Sequence, residues 1–153
     1  MARQARTVQQ TDGPKLLTVR IAKSAFAAFE MPTVAAAKKL TGFDRIVASD
    51  DAVEIIPIDN PLALVSGSQV TLELRRQGKA APGETITLVR RIDGPSSVQD
   101  LTTDKKGRVT FPIGPADSYL ARVKIDEETP RPDGQKDIAS YESTYVFQVF
   151  NRP

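Results

Sequence analysis

The sequence predicts a mainly β protein, an antiparallel β-sandwich of the immunoglobulin or prealbumin type with one short helix near its N-terminus. Three observations support this fold class. From residue 53 to residue 150, apolar and polar residues alternate in short segments, as in strands with one buried face. Turn residues separate these segments, and the strands recur at intervals of roughly 8–15 residues, which favours antiparallel sheets over an α/β fold. One earlier stretch is instead rich in helix-forming residues.

The length fits a single domain preceded by an arm. A chain of 153 residues is the usual size of one domain and can bury a substantial core. Residues 1–13 are polar and lead into the turn signature Thr11-Asp12-Gly13-Pro14. We therefore expect a flexible N-terminal arm over residues 1–13 and a single sandwich domain over residues 14–153.

A strand and the helix come first in this domain. Residues 15–22 alternate and have one strongly apolar face, which predicts the first strand. Pro32 precedes the helix-forming stretch 33–40 and Gly42 follows it. Proline at a helix start and glycine after its end are the usual boundaries, so the sequence predicts one short helix there.

Predicted turns divide the main β block into separate strands. The loop from Asp104 to Gly107 predicts a compact hairpin in which Gly107 takes a positive φ. The polar stretch 126–137 holds two prolines and a glycine, which predicts a surface excursion. The predicted strands of this block lie at about 53–56, 70–76, 85–91, 98–103, 108–111, 119–125 and 144–150. Alternation predicts the apolar faces of three of them, with Val70, Leu72 and Leu74 on one, Tyr119, Ala121, Val123 and Ile125 on the next, and Tyr145, Phe147 and Val149 on the last.

The composition removes most catalytic side chains. The chain has no histidine, cysteine or tryptophan, so Ser–His and Cys–His arrangements are excluded. A Ser–Lys pair remains open at Lys23-Ser24 or at Ser66, although neighbours on a strand point to opposite faces. The hydroxyl-rich segment Ser140–Thr144, which includes Glu142, is the first place to look for chemistry; it is also typical of the polar start of a last strand. We predict no catalytic residue and no enzymatic activity.

Three acidic groups offer oxygen ligands for a hard cation. They are Ser49-Asp50-Asp51, Asp59-Asn60 and Asp126-Glu127-Glu128. None has the spacing of a calcium loop, in which ligands alternate around a central glycine, and solvated sandwich loops are rich in such residues. We therefore predict no cofactor and assign no metal-ligating or cofactor-binding residue, which leaves a small ligand or metal open but unassigned.

The charge argues against a nucleic-acid partner. A formal charge of +2, from 21 basic and 19 acidic residues, does not build the basic field of a nucleic-acid binder. Arg75-Arg76, Arg90-Arg91 and Lys105-Lys106 would form a basic patch only if their strands were adjacent, and no aromatic residues are interleaved with them. We interpret them as charges on a solvated sheet that discourage edge-to-edge pairing. No apolar run approaches the roughly 20 residues of a membrane helix, so no transmembrane segment is predicted.

A series of motifs runs in order from about Arg20 to Phe150. Each motif alone is common strand–turn–strand punctuation, whereas their succession after the Glu-Ile-Ile-Pro strand is more specific. In this order they resemble the C-terminal half of the NikM-like family of secreted bacterial domains, which are mostly described as domains of unknown function. The matching pieces are Arg20–Lys23, Val53–Pro61, Gly67–Leu72, Gly78–Pro82, Thr103–Phe111, Tyr119–Val123 and Ala139–Tyr145.

This resemblance implies a periplasmic or cell-surface, non-enzymatic binding or accessory module. Some family members accompany nickel or cobalt uptake systems, and members usually begin with a signal peptide and a β domain that contains a histidine. Because this sequence has no histidine, the resemblance implies the fold and the location but carries over no metal-binding residue. We expect a periplasmic or cell-surface location, with the leader absent from this chain, or a cytoplasmic one if Met1 is the natural start.

Two functions follow as predictions. The leading one is a non-catalytic secreted or cell-surface accessory or binding module. The alternative is a structural subunit of a surface filament or other multi-subunit assembly, in which the arm 1–13 and the strand 15–22 make the contacts. The first strand closes the sandwich of its own molecule in one case and adds to a neighbour's sheet in the other. Both predict a protein partner or self-assembly.

Overall fold

The structure is a computed structural model, and it describes residues 16–24, 52–60, 64–91, 95–114 and 118–149. None of these residues is helical, and most lie in strands, so the predicted mainly β class is confirmed. The helix predicted at 33–40 and the arm predicted at 1–13 lie outside the described residues. The strands are β1 (Leu16–Ser24), β2 (Val53–Pro57), β3 (Gln69–Arg76), β4 (Lys79–Ala80), β5 (Thr85–Arg91), β6 (Ser96–Thr102), β7 (Arg108–Pro112), β8 (Ser118–Pro130) and β9 (Lys136–Gln148).

These strands form two sheets. Sheet A has five strands in the order β1-β9-β8-β5-β6. Sheet B has four, with β3 between β2 on one side and β4 and β7 on the other. Every pair in both sheets is antiparallel except β1 with β9.

The first strand corrects the prediction of wholly antiparallel sheets. It runs parallel to β9, with Leu16 opposite Ile138 and Ser24 opposite Val146. No turn joins β1 to β9, the first and last of the described strands, so hairpin geometry does not fix their relative direction. The pairing also places β1 at one edge of sheet A among the described strands.

One hydrophobic core receives side chains from both sheets. The inward-facing positions are those that the alternation of β3, β8 and β9 predicts. The ring centroid of Phe111 in sheet B lies 6.0 Å from the ring centroid of Tyr119 and 6.5 Å from that of Phe147, both in sheet A. The core residues of these three strands are Val70, Leu72, Leu74, Tyr119, Ala121, Val123, Ile125, Tyr145 and Phe147.

The polar stretch 126–137 lies at the surface, as predicted, but it forms the end of a long hairpin and not a separate loop. Strand β8 continues to Pro130, which lies opposite Lys136 at the start of β9. A short loop closes the hairpin, and within it Arg131 donates its backbone N–H to the Gln135 carbonyl at 2.8 Å. Side chains on both faces of this hairpin end are largely exposed, so the sequence carries no apolar alternation from which a strand could be predicted.

The turn at residues 104–107 is compact and has the predicted positive φ at Gly107, but the strands it connects are not paired with each other. Asp104 Oδ1 accepts the backbone N–H groups of Lys106 at 2.8 Å and Arg108 at 2.9 Å, and Gly107 has a φ of 72°. However, β6 pairs with β5 in sheet A and β7 pairs with β3 in sheet B. The turn therefore carries the chain between the sheets, and the hairpin prediction is wrong because turn chemistry does not specify which strand comes next.

Gly107 is also the point where this turn touches β3. Leu74 donates its backbone N–H to the Gly107 carbonyl at 2.8 Å. A Cβ atom at Gly107 would lie 2.8 Å from both the Leu74 carbonyl oxygen and the Ala81 nitrogen. Both the positive φ and this close approach require glycine here.

Candidate functional site

The residues considered for a Ser–Lys pair lie on β1 and in the turn before β3. Lys23 and Ser24 occupy successive positions on β1 in sheet A, opposite Tyr145 and Val146 of β9. Ser66 is exposed in the turn that precedes β3 in sheet B. The structure therefore places the two candidate serines on separate elements.

The hydroxyl-rich segment lies in the middle of β9 and not at its start. Ser143 is fully buried, and its Oγ accepts the backbone N–H of Ile55 from β2 at 3.2 Å. Glu142 pairs with Arg122 of β8 at 2.7 Å and with Arg20 of β1 at 3.4 Å. These groups hold β9 to three other strands.

Two of the three acidic groups make hydrogen bonds or ion pairs with other parts of the fold. Asp59 Oδ2 accepts the backbone N–H of Thr71 at 2.7 Å, just beyond the end of β2. Asp126-Glu127-Glu128 belongs to β8, and Glu127 pairs with Arg76 of sheet B. The group Ser49-Asp50-Asp51 falls outside the described ranges. Within those ranges no three or more carboxylates are grouped as a metal site would need.

The three basic pairs do not lie on adjacent strands. Arg75-Arg76 is on β3 in sheet B, whereas Arg90-Arg91 is on β5 in sheet A. Lys105-Lys106 is exposed in the turn between β6 and β7. The condition for a joint basic patch is therefore not met.

An ion-pair cluster around one buried carboxylate lies on the face of sheet B that points away from the core. Glu73 is only 6% exposed. Its Oε1 accepts Arg75 Nε at 2.7 Å, and its Oε2 accepts Arg108 Nε at 2.9 Å. The register places Arg108 directly opposite Glu73, while Arg75 lies two residues further along the same strand. We call these three residues the arginine–glutamate cluster.

The electrostatics of this cluster keep the carboxylate ionised. Burial alone would raise the pKa of Glu73. The hydrogen bonds and positive charges of Arg75 and Arg108 outweigh burial and hold the pKa below its ordinary value. A carboxylate with both oxygens bound and a lowered pKa is a poor general acid or base near neutral pH. The cluster instead crosslinks β3 to β7.

Two core tyrosines differ in the surroundings of their hydroxyl groups. Gly114 donates its backbone N–H to Tyr119 Oη at 2.8 Å. Tyr145 Oη is buried and has no hydrogen-bond partner among the described residues. Burial raises the pKa of Tyr145 well above its ordinary value.

The comparison with known families decides the family of this chain. A family model for a domain of unknown function, DUF4198, matches residues 8–127, which is more than half of the 153 residues. The chain belongs to the DUF4198 family. The predicted membership of a family of unknown function is thereby confirmed. No curated protein matches the chain.

The DUF4198 match covers part of the candidate site. The arginine–glutamate cluster and Tyr119 lie within the matched residues, which end inside β8. Strand β9, with Ser143 and Tyr145, follows the matched residues. No helix long and apolar enough to cross a membrane occurs in the described part of this DUF4198 chain.

The arginine–glutamate cluster and the Tyr119 contact could be predicted only in part from the sequence. Glu73 and Arg75 are two residues apart on a predicted strand, so they share a face. Arg108 joins them only through the pairing of β3 with β7, which local pattern does not give. Gly114 and Tyr119 flank a proline-containing connection, so the two partners of this contact are close in the sequence.

Proposed function

We propose that this chain is a non-catalytic accessory or binding module of the NikM-like type, with an immunoglobulin-like sandwich fold, in the periplasm or at the cell surface. The strand order supports the fold. Immunoglobulin-like domains place strands A, B and E in one sheet and strands C, F and G in the other. Here β2, β3 and β7 form one such group, and β5, β8 and β9 form the other.

A tyrosine contact supports the same fold. In immunoglobulin-like domains a tyrosine near the start of strand F hydrogen-bonds the backbone a few residues upstream. Tyr119 is the second residue of β8, the strand in the F position, and its Oη accepts the N–H of Gly114 upstream. This contact fixes the connection between the sheets at the end of β7.

The observation that carries the non-catalytic proposal is the use of buried polar groups as strand crosslinks. Both oxygens of Glu73 are bound by arginines, and Ser143 Oγ accepts the Ile55 N–H from the other sheet. Groups held in this way are not available to a substrate. A module of this kind acts through contacts with a partner.

A metal-binding experiment tests this proposal. An ion present at a hundred times its dissociation constant raises the free energy of unfolding by about 2.7 kcal/mol, a rise of roughly 5–10 °C in Tm for a domain of this size. Because the chain has no histidine or cysteine, the proposal expects no such rise with nickel or cobalt ions relative to magnesium ions. A rise specific to nickel or cobalt would show that the module holds a metal site and would contradict the expectation that no metal-binding residue carries over from the family.

The proposed location has its own test. The native protein should be released with the periplasmic contents, or be cleaved by protease added to intact cells. Retention in the cytosolic fraction, together with a cytosolic marker, would contradict the proposed location. The alternative, a structural subunit of a surface filament or other assembly that uses the arm 1–13 and the strand 15–22 for its contacts, stays a prediction.

A further inference from the structure

An aliphatic row crosses the face of sheet A that points away from the core. Val146 of β9 lies opposite Leu120 of β8, Leu120 lies opposite Val89 of β5, and Val89 lies opposite Val98 of β6. None of these four residues belongs to the hydrophobic core. The row ends at Val98, which is 67% exposed and lies on the last strand of the sheet.

Strand β6 is an edge strand without the usual protection against pairing. It pairs with β5 alone among the described strands, and six of its seven residues are exposed. It contains no proline, lysine or arginine, and Asp100 is its one charged residue. The unpaired backbone N–H and C=O groups of such an edge are a template for another strand. Pro95, just before the strand, confines that pairing to β6 itself.

We propose that β6 pairs antiparallel with β6 of a second copy of this chain, around a two-fold axis at Val98. The two five-stranded sheets would then form one continuous sheet. The faces of β6 determine which registers are open, because outward-facing residues must stay opposite outward-facing residues. Leu101 packs against the core, so Ser96, Val98 and Asp100 face outward.

The register follows from apolar contact and charge. With the axis at Val98, this residue faces itself in the second copy, and the two aliphatic rows join into one. Asp100 then faces Ser96, and the two Asp100 carboxylates are about 13 Å apart along the strands. An axis at Asp100 would place like charges directly opposite each other, and an axis at Gln99 would place Val98 against Asp100. The axis at Val98 is therefore favoured.

The size of the contact sets its strength. Alternate residues of β6 direct their backbone groups to the free edge, so the pairing forms roughly four to six main-chain hydrogen bonds. A strand pair with one apolar row buries less than the roughly 1,000 Å² typical of a stable interface. The dimer is therefore weak and depends on protein concentration. The proposed dimer depends only on the edge of sheet A and is independent of the proposed location and of metal binding.

The absence of cysteine from the chain allows a sharp test with single thiols. In Val98→Cys the two thiols would lie on Cα atoms about 4.5–5.5 Å apart, within the range of a disulfide. In the matched variant Asp100→Cys, on the same strand and face, they would be about 13 Å apart. Under mild oxidation of the full chain, we expect the Val98→Cys dimer to form at least tenfold faster. Equal rates, or a faster Asp100→Cys dimer, would overturn the proposed pairing.

Sedimentation velocity over a concentration series tests the dimer without a thiol. The native chain should dimerise as its concentration rises, whereas Val98→Lys should stay monomeric because two lysines would face each other. Val146→Lys changes the same aliphatic row on β9, away from the edge, and should dimerise like the native chain. A monomeric native chain at all concentrations overturns the proposal, as does loss of the dimer in both lysine variants.

Discussion

Replacing Tyr145 with phenylalanine should stabilise the protein. The hydroxyl group is buried without a hydrogen-bond partner among the described residues, and such a group costs about 1–3 kcal/mol. Removing the oxygen alone keeps the stacking on Phe147, at 5.4 Å between ring centroids. The small void left by the oxygen offsets part of the gain. We expect the free energy of unfolding to rise by about 1 kcal/mol, or Tm by about 2–4 °C.

Tyr119→Phe is the matched control, because it removes the same atom from the neighbouring strand of the same core. Here the lost oxygen accepts the Gly114 N–H at 2.8 Å, so the free energy of unfolding should fall by about 1–2 kcal/mol. Urea unfolding at pH 7, followed by far-ultraviolet circular dichroism, measures both changes without relying on tyrosine emission. If Tyr145→Phe were as destabilising as Tyr119→Phe, the hydroxyl of Tyr145 would have a partner and the reasoning would be refuted.

Four further substitutions test the turns and the ion pairs. Gly107→Ala should lower the free energy of unfolding by more than about 2 kcal/mol, because a Cβ would collide with neighbouring backbone. Gly134→Ala, also at a positive φ but with open space around it, should cost about 1 kcal/mol. Glu73→Gln should cost about 1–3 kcal/mol at pH 7. The pKa of Glu73 is lowered in the folded protein, so the ionised carboxylate contributes its full stabilisation above the ordinary glutamate value of 4.5. The difference in free energy of unfolding between the native protein and Glu73→Gln should disappear as pH falls through the folded-state pKa. Glu127→Gln, which removes a partly exposed pair, should cost less than about 1 kcal/mol.

Equilibrium urea unfolding measures all of these changes. Equal costs for the two glycine variants would show that the turn at Gly107 does not approach β3 as described. A Glu73→Gln deficit that persisted unchanged to pH 3 would contradict the stabilising role of the ionised carboxylate. A cost for Glu127→Gln as large as that for Glu73→Gln would mean that exposure does not separate the two ion pairs.

The sequence predicted the inward faces of the central strands. Val70, Leu72 and Leu74 all point into the core, as do the apolar positions of β8 and β9. These strands have one buried and one solvated face, so apolar residues recur with the period of the strand. Positions of this kind are read from local pattern alone.

The pairing of the strands could not be predicted from local sequence pattern. The direction of β1 relative to β9 and the crossing from β6 to β7 depend on residues far apart in the chain. The hairpin end around Pro130 is solvated on both faces, so its strands have no apolar signature. In each case the missing information lies in contacts between distant segments.

The candidate site shows the same division. Glu73 and Arg75 could be placed on one strand face from their spacing, whereas Arg108 is 35 residues from Glu73 in sequence. Tyr145 was correctly placed on the inward face of the last strand. The different surroundings of its hydroxyl and that of Tyr119 depend on packing, which local sequence does not specify.

The central claim is that two sheets close over one core, with the polar groups between strands committed to holding them together. Nuclear Overhauser effects between aromatic rings test this claim most directly. Phe111 of sheet B should show cross-peaks to both Tyr119 and Phe147 of sheet A, whose ring centroids lie 6.0 and 6.5 Å away. Cross-peaks between Tyr119 and Phe147 without any to Phe111 would contradict the claim, because sheet A would then be folded without sheet B packed against it.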